Sequence, residues 1–156
     1  MTDIVDSQTR SRMMASIRGK NTSPELAIRR YLHARGFRYQ LHRKNLPGKP
    51  DLVLPKYRLA IFVNGCFWHK HKDCFYASSP ATHKTFWKDK LEGNVARDWR
   101  KWADLVSHGW RVLIIWECGL KHCSDDLESV VNIITGEDPF HQWPSSPPRT
   151  RPTSSN

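Results

Sequence analysis

Cysteine and histidine side chains cluster in one part of the sequence, around residues 66–74. Cys66, His71 and Cys74 fall within a span of nine residues, and Cys118 follows an apolar stretch further along the chain. Three thiolates and one imidazole form a ligand set that binds zinc tetrahedrally. Because protein groups would fill all four positions, we predict a structural rather than a catalytic zinc ion. Three other residues are alternative ligands. Cys123 could take the place of Cys118, and His69 or His83 could take the place of His71.

Acidic residues define a second candidate site. Asp51 follows a proline at the start of an apolar segment, where a carboxylate together with a backbone carbonyl can bind Mg²⁺. Such an ion neutralises a phosphodiester and helps to form hydroxide for its hydrolysis. His69 is suited to be the general base or acid, Asp98 can orient it, and Glu25 can reach a metal-bound water. Taken singly, each carboxylate also has a purely structural explanation. Asp51 can belong to a turn, Asp98 can be a solvated charge on a helix, and Glu25 can cap a helix.

Two bulky aromatic side chains, Phe67 and Trp68, stand side by side in the same polar segment. One interpretation is local packing. The other is intercalation, in which apolar side chains enter between base steps and kink the duplex at a cost on the order of a few kcal/mol per step. A mismatched pair stacks less well, so insertion costs less there.

Periodicity predicts the elements that position these residues. The predicted helices cover residues 7–19, about 22–34, about 85–107, where Gly93 is a candidate break, and 124–136. The predicted strands cover residues 37–42, 51–54, 58–63 and 111–117, and residues 64–84 form an irregular loop. This order predicts a mixed α/β fold, with a central mixed sheet flanked by helices and a zinc-stapled loop.

Length and composition predict one domain over residues 1–136 and a disordered tail over residues 137–156. The chain of 156 residues suits a single modest core. The tail holds five prolines and many serines and threonines, without apolar periodicity.

Positive charge indicates a polyanionic partner. Lysine and arginine number 25 against 15 acidic residues, for a net charge of +10, and they recur between the predicted elements. A chain this short and basic is typical of nucleic-acid-binding proteins. Neither a secretory signal nor an apolar membrane span is evident, so we expect a cytoplasmic protein with reduced cysteines and no membrane partner.

Several runs resemble the very short patch repair (Vsr) endonucleases over about residues 7–136. They are Thr9-Arg10-Ser11 with Met14, Pro50-Asp51, the highly specific Gly65-Cys66-Phe67-Trp68-His69, Asn94-Val95-Ala96-Arg97-Asp98 and Gly109-Trp110-Arg111-Val112-Leu113. The resemblance implies a restriction-endonuclease-like fold, a structural zinc ion and a magnesium active site. It also implies nicking on the 5′ side of the thymine of a T:G mismatch, the product of 5-methylcytosine deamination.

The resemblance assigns roles to individual residues. Mg²⁺ is bound by Asp51 and the main-chain carbonyl of Val63, and His69 is the base with Asp98 as its carboxylate partner. Some members carry histidine at the position of Asn64, which is expected here to hydrogen-bond a metal-bound water. The implied zinc ligands are Cys66, His71, Cys74 and Cys118.

The implied partner is double-stranded DNA containing a T:G mismatch. Phe67 and Trp68 are expected to enter from the major groove, and the first helix, around Met14, approaches the minor groove. We expect a monomer, since one nick needs one active site, associated with the nucleoid while acting. A functional link to a cytosine-5 DNA methyltransferase and repair proteins is also expected. The alternatives are a restriction-type endonuclease of the same fold and a non-enzymatic zinc DNA-binding module.

Overall fold

A five-stranded mixed sheet forms the centre of the computed structural model, which describes residues 22–150. Its strands, in spatial order, are β1 (Gln40–Leu41), β2 (Leu52–Leu54), β3 (Leu59–Asn64), β4 (Arg111–Trp116) and β5 (Phe140–Trp143). The pairs β1–β2 and β2–β3 are antiparallel, whereas β3–β4 and β4–β5 are parallel. The long apolar runs of β3 and β4 occupy the middle positions, because parallel strands covered on both faces need apolar side chains on both.

Helices cover both faces of the sheet. The described helices are α1 (Ser23–Ala34), α2 (Lys84–Ser107), α3 (Glu117–His122) and α4 (Leu127–Thr135), with short 3₁₀ segments at Pro55–Tyr57 and Ser124–Asp126. One face of the sheet packs against α1 and α4, and the other packs against α2. The predicted fold class, a mixed sheet flanked by helices, is confirmed. Within residues 22–150, no helix is long and apolar enough to cross a membrane.

Some predicted boundaries are corrected. Helix α2 runs through Gly93 without a break, because its buried face continues from Leu91 to Asp98. The strand predicted over residues 37–42 is only two residues long, and α3 was not predicted. The helix predicted over residues 7–19, together with Met14, lies outside the described residues.

The expectation of a disordered tail from residue 137 is also corrected. Residues Phe140–Trp143 form β5, which pairs in parallel with β4, and Trp143 is 2% exposed in the core. The indole of Trp116 donates to the side-chain oxygen of Gln142 at 2.8 Å. The sequence signal was weak because β5 has only four residues and its pairing partner is distant in the chain. The folded domain therefore extends beyond residue 136.

Candidate active site

Asp51 lies immediately before β2, and its carboxylate reaches the end of β3. The backbone N–H of Val63 donates to Oδ2 of Asp51 at 2.8 Å. Burial raises the pKa of Asp51 to about 7; the Val63 hydrogen bond opposes this rise and the nearby Glu25 adds to it. A carboxylate in this state exchanges its proton readily for a cation. The contact shown for Val63 is through its N–H, and the role of its carbonyl stays a prediction.

Glu25 joins Asp51 from helix α1. Its backbone N–H donates to Oγ1 of Thr22, the N-cap of α1, while its side chain is turned inward and is 1% exposed. Oε2 of Glu25 accepts from Nη1 of Arg29 and lies 3.0 Å from Nε2 of His42. One ligand atom from each of Glu25, His42 and Asp51 lies within 4.8 Å of the others, so the three side chains can hold a cation.

Sequence reasoning missed His42. The apparent alternation of residues 37–42 placed it on the polar side of a strand, but that strand ends at Leu41. His42 has a left-handed backbone with φ of +49°. A histidine just after a short predicted strand carries no distinctive signal, and only the fold brings it to Glu25.

His69 and Asp98 form a second pair. Nδ1 of His69 lies 2.6 Å from Oδ2 of Asp98, a buried residue in the middle of α2. One turn earlier in the helix, the amide of Asn94 donates to the carbonyl oxygen of Trp68 at 2.9 Å. The loop that carries His69 is therefore held to α2 at two neighbouring points.

Asn64 is the last residue of β3. It is buried, and its Nδ2 makes no hydrogen bond within the part of the chain that the structure describes. A buried amide donor normally has a partner. Asn64 thus has the donor needed to bind a water or a phosphate oxygen at the site.

Cys66, His71, Cys74 and Cys118 come together in a separate buried cluster. Their ligand atoms lie within 4.8 Å of one another, and Sγ of Cys118 is 3.5 Å from Nδ1 of His71. The His71 ring also stacks on Trp116, with ring centroids 4.0 Å apart. The competing residues are not members: His69 is paired with Asp98, while Cys123 and His83 lie outside the cluster.

The thiols of this cluster cannot all ionise without a positive charge nearby. A hydrogen bond from Cys118 lowers the pKa of Cys66 to about 4, and the same contact raises the pKa of Cys118. Burial raises the pKa of Cys74 as well. Because a bound metal ion removes this conflict, the donor set fits a metal that prefers sulfur and nitrogen.

Phe67 and Trp68 form an aromatic group with Trp87 of α2. The Phe67 and Trp68 rings meet edge to face at 5.1 Å, and their centroids lie 5.6 and 5.8 Å from that of Trp87. Trp87 is buried, whereas the other two are half-buried. Phe67 and Trp68 are therefore partly exposed, and both pack against the buried ring of Trp87.

Carboxylates at one end of a mixed sheet, near a loop histidine that pairs with an aspartate of the next helix, are suited to metal-dependent hydrolysis of phosphodiesters. The family model described as DNA mismatch endonuclease Vsr matches residues 2–75. Together with the relatives described next, this match shows that the chain belongs to the Vsr family, as the sequence motifs predicted.

Curated relatives match most of the chain. A type II nicking enzyme of Xanthomonas oryzae pv. oryzae, V.XorIIP, is 48% identical over 120 residues, which cover 77% of this chain and 88% of the relative. The DNA mismatch endonuclease Vsr of Escherichia coli is 42% identical over 121 residues, covering 78% and 77%. The type II nicking enzyme V.NmeAIP of Neisseria meningitidis serogroup A is 39% identical over 137 residues, covering 86% and 97%.

Proposed function

We propose that this protein is a DNA mismatch endonuclease that nicks the thymine-containing strand of a T:G mismatch, immediately 5′ to the thymine. Membership of the Vsr family supports the mismatch endonuclease activity. The observation that carries the proposal is the loop after β3, in which the aromatic pair Phe67–Trp68 directly precedes His69, whose imidazole pairs with Asp98 of α2. The two rings suited to distort the duplex and the histidine suited to hydrolyse it are thus consecutive in one segment, which two hydrogen bonds hold to α2.

The geometry supports a candidate role for each of these residues. Asp51, with Glu25 beside it, would hold Mg²⁺, which when bound neutralises phosphate charge and lowers the pKa of a coordinated water. His69 takes the proton of the attacking water through Nε2, because Asp98 holds Nδ1 and fixes the orientation of the ring. The buried amide of Asn64 donates to a water or a phosphate oxygen.

Insertion of Phe67 and Trp68 accounts for the preference for a mismatch. A T:G wobble pair stacks imperfectly, so parting the neighbouring base steps costs less than in a matched duplex. The displaced pairing edges of the wobble also offer a distinct pattern of donors and acceptors in the grooves.

Alanine replacement of Phe67 or Trp68 is expected to reduce the preference for T:G over T:A duplexes by about tenfold, with overall affinity nearly unchanged. Affinity arises mainly from phosphate contacts, which these rings do not supply. Nicking rates and binding constants on both duplexes measure the effect. Phe75→Ala, which removes an exposed ring from the same loop, is the matched control. Normal discrimination by both variants would show that the rings serve only in packing.

We propose that the Cys66–His71–Cys74–Cys118 cluster binds a structural zinc ion. The supporting observations are its three sulfurs and one imidazole nitrogen, their burial and their mutual proximity. The loop from residue 65 to 83 contains no helix or strand and depends on such a cross-link for its order.

Cys74→Ala is expected to lower the melting temperature by on the order of 10 °C and to release the metal. Thermal unfolding, with metal analysis of the purified protein, measures both effects. Cys123→Ala should leave both unchanged, because Cys123 lies outside the cluster. Purified wild-type protein without about one zinc ion per chain would contradict the assignment.

The proposed enzyme acts as a monomer, since an asymmetric lesion needs a single cut by a single site. Because deamination of 5-methylcytosine produces T:G mismatches, the proposal also implies a functional link to a cytosine-5 DNA methyltransferase and to repair proteins.

The proposed substrate is tested with duplexes labelled on each strand, carrying T:G, T:A or C:G at one position in varied flanks. We expect one magnesium-dependent nick, 5′ to the mismatched thymine and leaving a 5′-phosphate, at a rate roughly 100-fold above that on T:A. Equal cutting of T:G and T:A, or paired cuts on both strands, would favour a restriction-type endonuclease. Binding without any cleavage would favour a non-enzymatic module.

A further inference from the structure

We propose that His42 is a positioning residue of the active site, which together with Arg29 holds the carboxylate of Glu25 beside Asp51 so that the two acids form one cation site. The inference rests on the proposed function only in requiring that a divalent cation binds at Asp51. It assigns a role to a residue that neither the sequence motifs nor the predicted zinc and magnesium ligands include.

The sheet places His42 opposite Asp51. Leu41 of β1 pairs with Leu52 of β2, so the next residues along this antiparallel pair are His42 and Asp51. The backbone N–H of His42 donates to the carbonyl oxygen of Asp51 at 3.2 Å. Any change in the register of β1 would therefore move His42 away from the site.

The backbone of His42 is strained. Its φ of +49° lies in the left-handed region, which costs a non-glycine residue about 1 kcal/mol. This conformation occurs at the residue directly after β1, and the side chain of that residue reaches Glu25 through Nε2. Strain of this kind collects at functional sites, where surrounding contacts offset it.

The contacts of Glu25 show what His42 does. A carboxylate that is 1% exposed needs hydrogen-bond partners within the protein, and both Arg29 Nη1 and His42 Nε2 lie 3.0 Å from the same oxygen, Oε2. Arg29 approaches from within α1, one turn after Glu25, whereas His42 approaches from the sheet. Two donors on one oxygen from different elements fix both the position and the rotation of the carboxylate.

The two carboxylates need this restraint because they repel each other. One carboxylate oxygen of Glu25 lies within 4.8 Å of one of Asp51, close enough for two negative charges to repel each other. Without His42, Glu25 can turn away from Asp51 and relieve the repulsion. Mg²⁺ prefers oxygen ligands, so His42 acts through Glu25 rather than by binding the ion itself.

The test is the affinity of the full-length protein for Mn²⁺ without DNA, measured by calorimetry. We expect His42→Ala and Glu25→Gln each to weaken binding by about tenfold, and the double variant to be no weaker than Glu25→Gln alone, because both changes remove the same contribution. His42→Gln keeps a donor near the position of Nε2 and should bind within about threefold of wild type, whereas the shorter His42→Asn should resemble His42→Ala. His33→Ala, which removes an exposed histidine from α1, is the control for incidental binding.

The proposal would be overturned if His42→Ala bound Mn²⁺ with wild-type affinity. It would also be overturned if the double variant lost affinity by the product of the two single losses, because His42 would then be an independent ligand. If His42→Ala does not fold, the comparison of Gln with Asn decides, and equal affinity in those two variants overturns the proposal. A wild-type protein that nicks T:G and T:A duplexes equally would refute the proposed function, but it would not change the Mn²⁺ binding result.

Discussion

Replacing Asp51 with asparagine is expected to reduce nicking of mismatched DNA by about 10³-fold or more, with DNA affinity close to that of the wild type. The amide keeps the shape of the side chain and can still face the N–H of Val63, but it removes the charged oxygen proposed to hold the cation. The basic surface that contacts phosphates is unaffected. Single-turnover nicking in Mg²⁺ and equilibrium binding separate the two effects.

The same variant is expected to gain stability at high pH when no divalent cation is added. Burial raises the pKa of Asp51 from its ordinary 3.8 to about 7. The folded state therefore disfavours the ionised form, and this destabilisation grows as pH rises from about 4 to 7 and is fully present above that range. Asp51→Asn should melt at a higher temperature than the wild type at about pH 8, and at a similar temperature near pH 4.

Asp104→Asn, at an exposed site on α2, is the matched control and should change neither nicking nor melting. Near-normal nicking by Asp51→Asn in Mg²⁺ would remove Asp51 from the active site.

Truncating Trp143 to alanine is expected to cost about 3–5 kcal/mol of unfolding free energy, a large share of the stability of a domain of this size. The indole packs in the core with residues of β4, α1 and α4, and its loss leaves a cavity between the sheet and these helices. Urea-induced unfolding measures the change. Trp99→Ala is the control, because that ring is 51% exposed and should cost far less.

Deleting residues 138–156 should be at least as destabilising as Trp143→Ala, because it removes all of β5 and uncovers the edge of β4. A truncated protein that unfolds at the wild-type urea concentration would mean that β5 contributes little to the fold.

Local patterns predicted the central elements well. Apolar runs and helical spacing located β2, β3, β4, α1 and α2 to within a residue or two. The buried cysteine–histidine cluster, which could hold a metal, was also predictable in part, since Cys66, His71 and Cys74 are close in the sequence. Spacing alone left Cys123 open as an alternative to Cys118, because the two differ only in where α3 places them, and the family resemblance assigned the position to Cys118.

What the sequence could not predict depends on pairing between distant segments. Strand β5 is short and largely polar, and only its contact with β4 makes it a strand. His42 is an ordinary polar residue until the β1–β2 register sets it opposite Asp51. Glu25 was predicted as a site residue, but the sequence also allowed it a local role as a helix cap, and only the structure shows its side chain turned inward.

The position of β5 bears on how the protein emerges during synthesis. The antiparallel strands β1, β2 and β3 are close in sequence and can pair as they are synthesised. Strand β4 pairs with β3 on one side, but its other neighbour, β5, is complete only at Trp143. A nascent chain that has not reached this residue presents the apolar sequence RVLIIW with one unpaired edge, a template for aggregation. A premature stop between β4 and β5 would therefore yield a self-associating fragment, even though every proposed catalytic and metal-binding residue had already been translated.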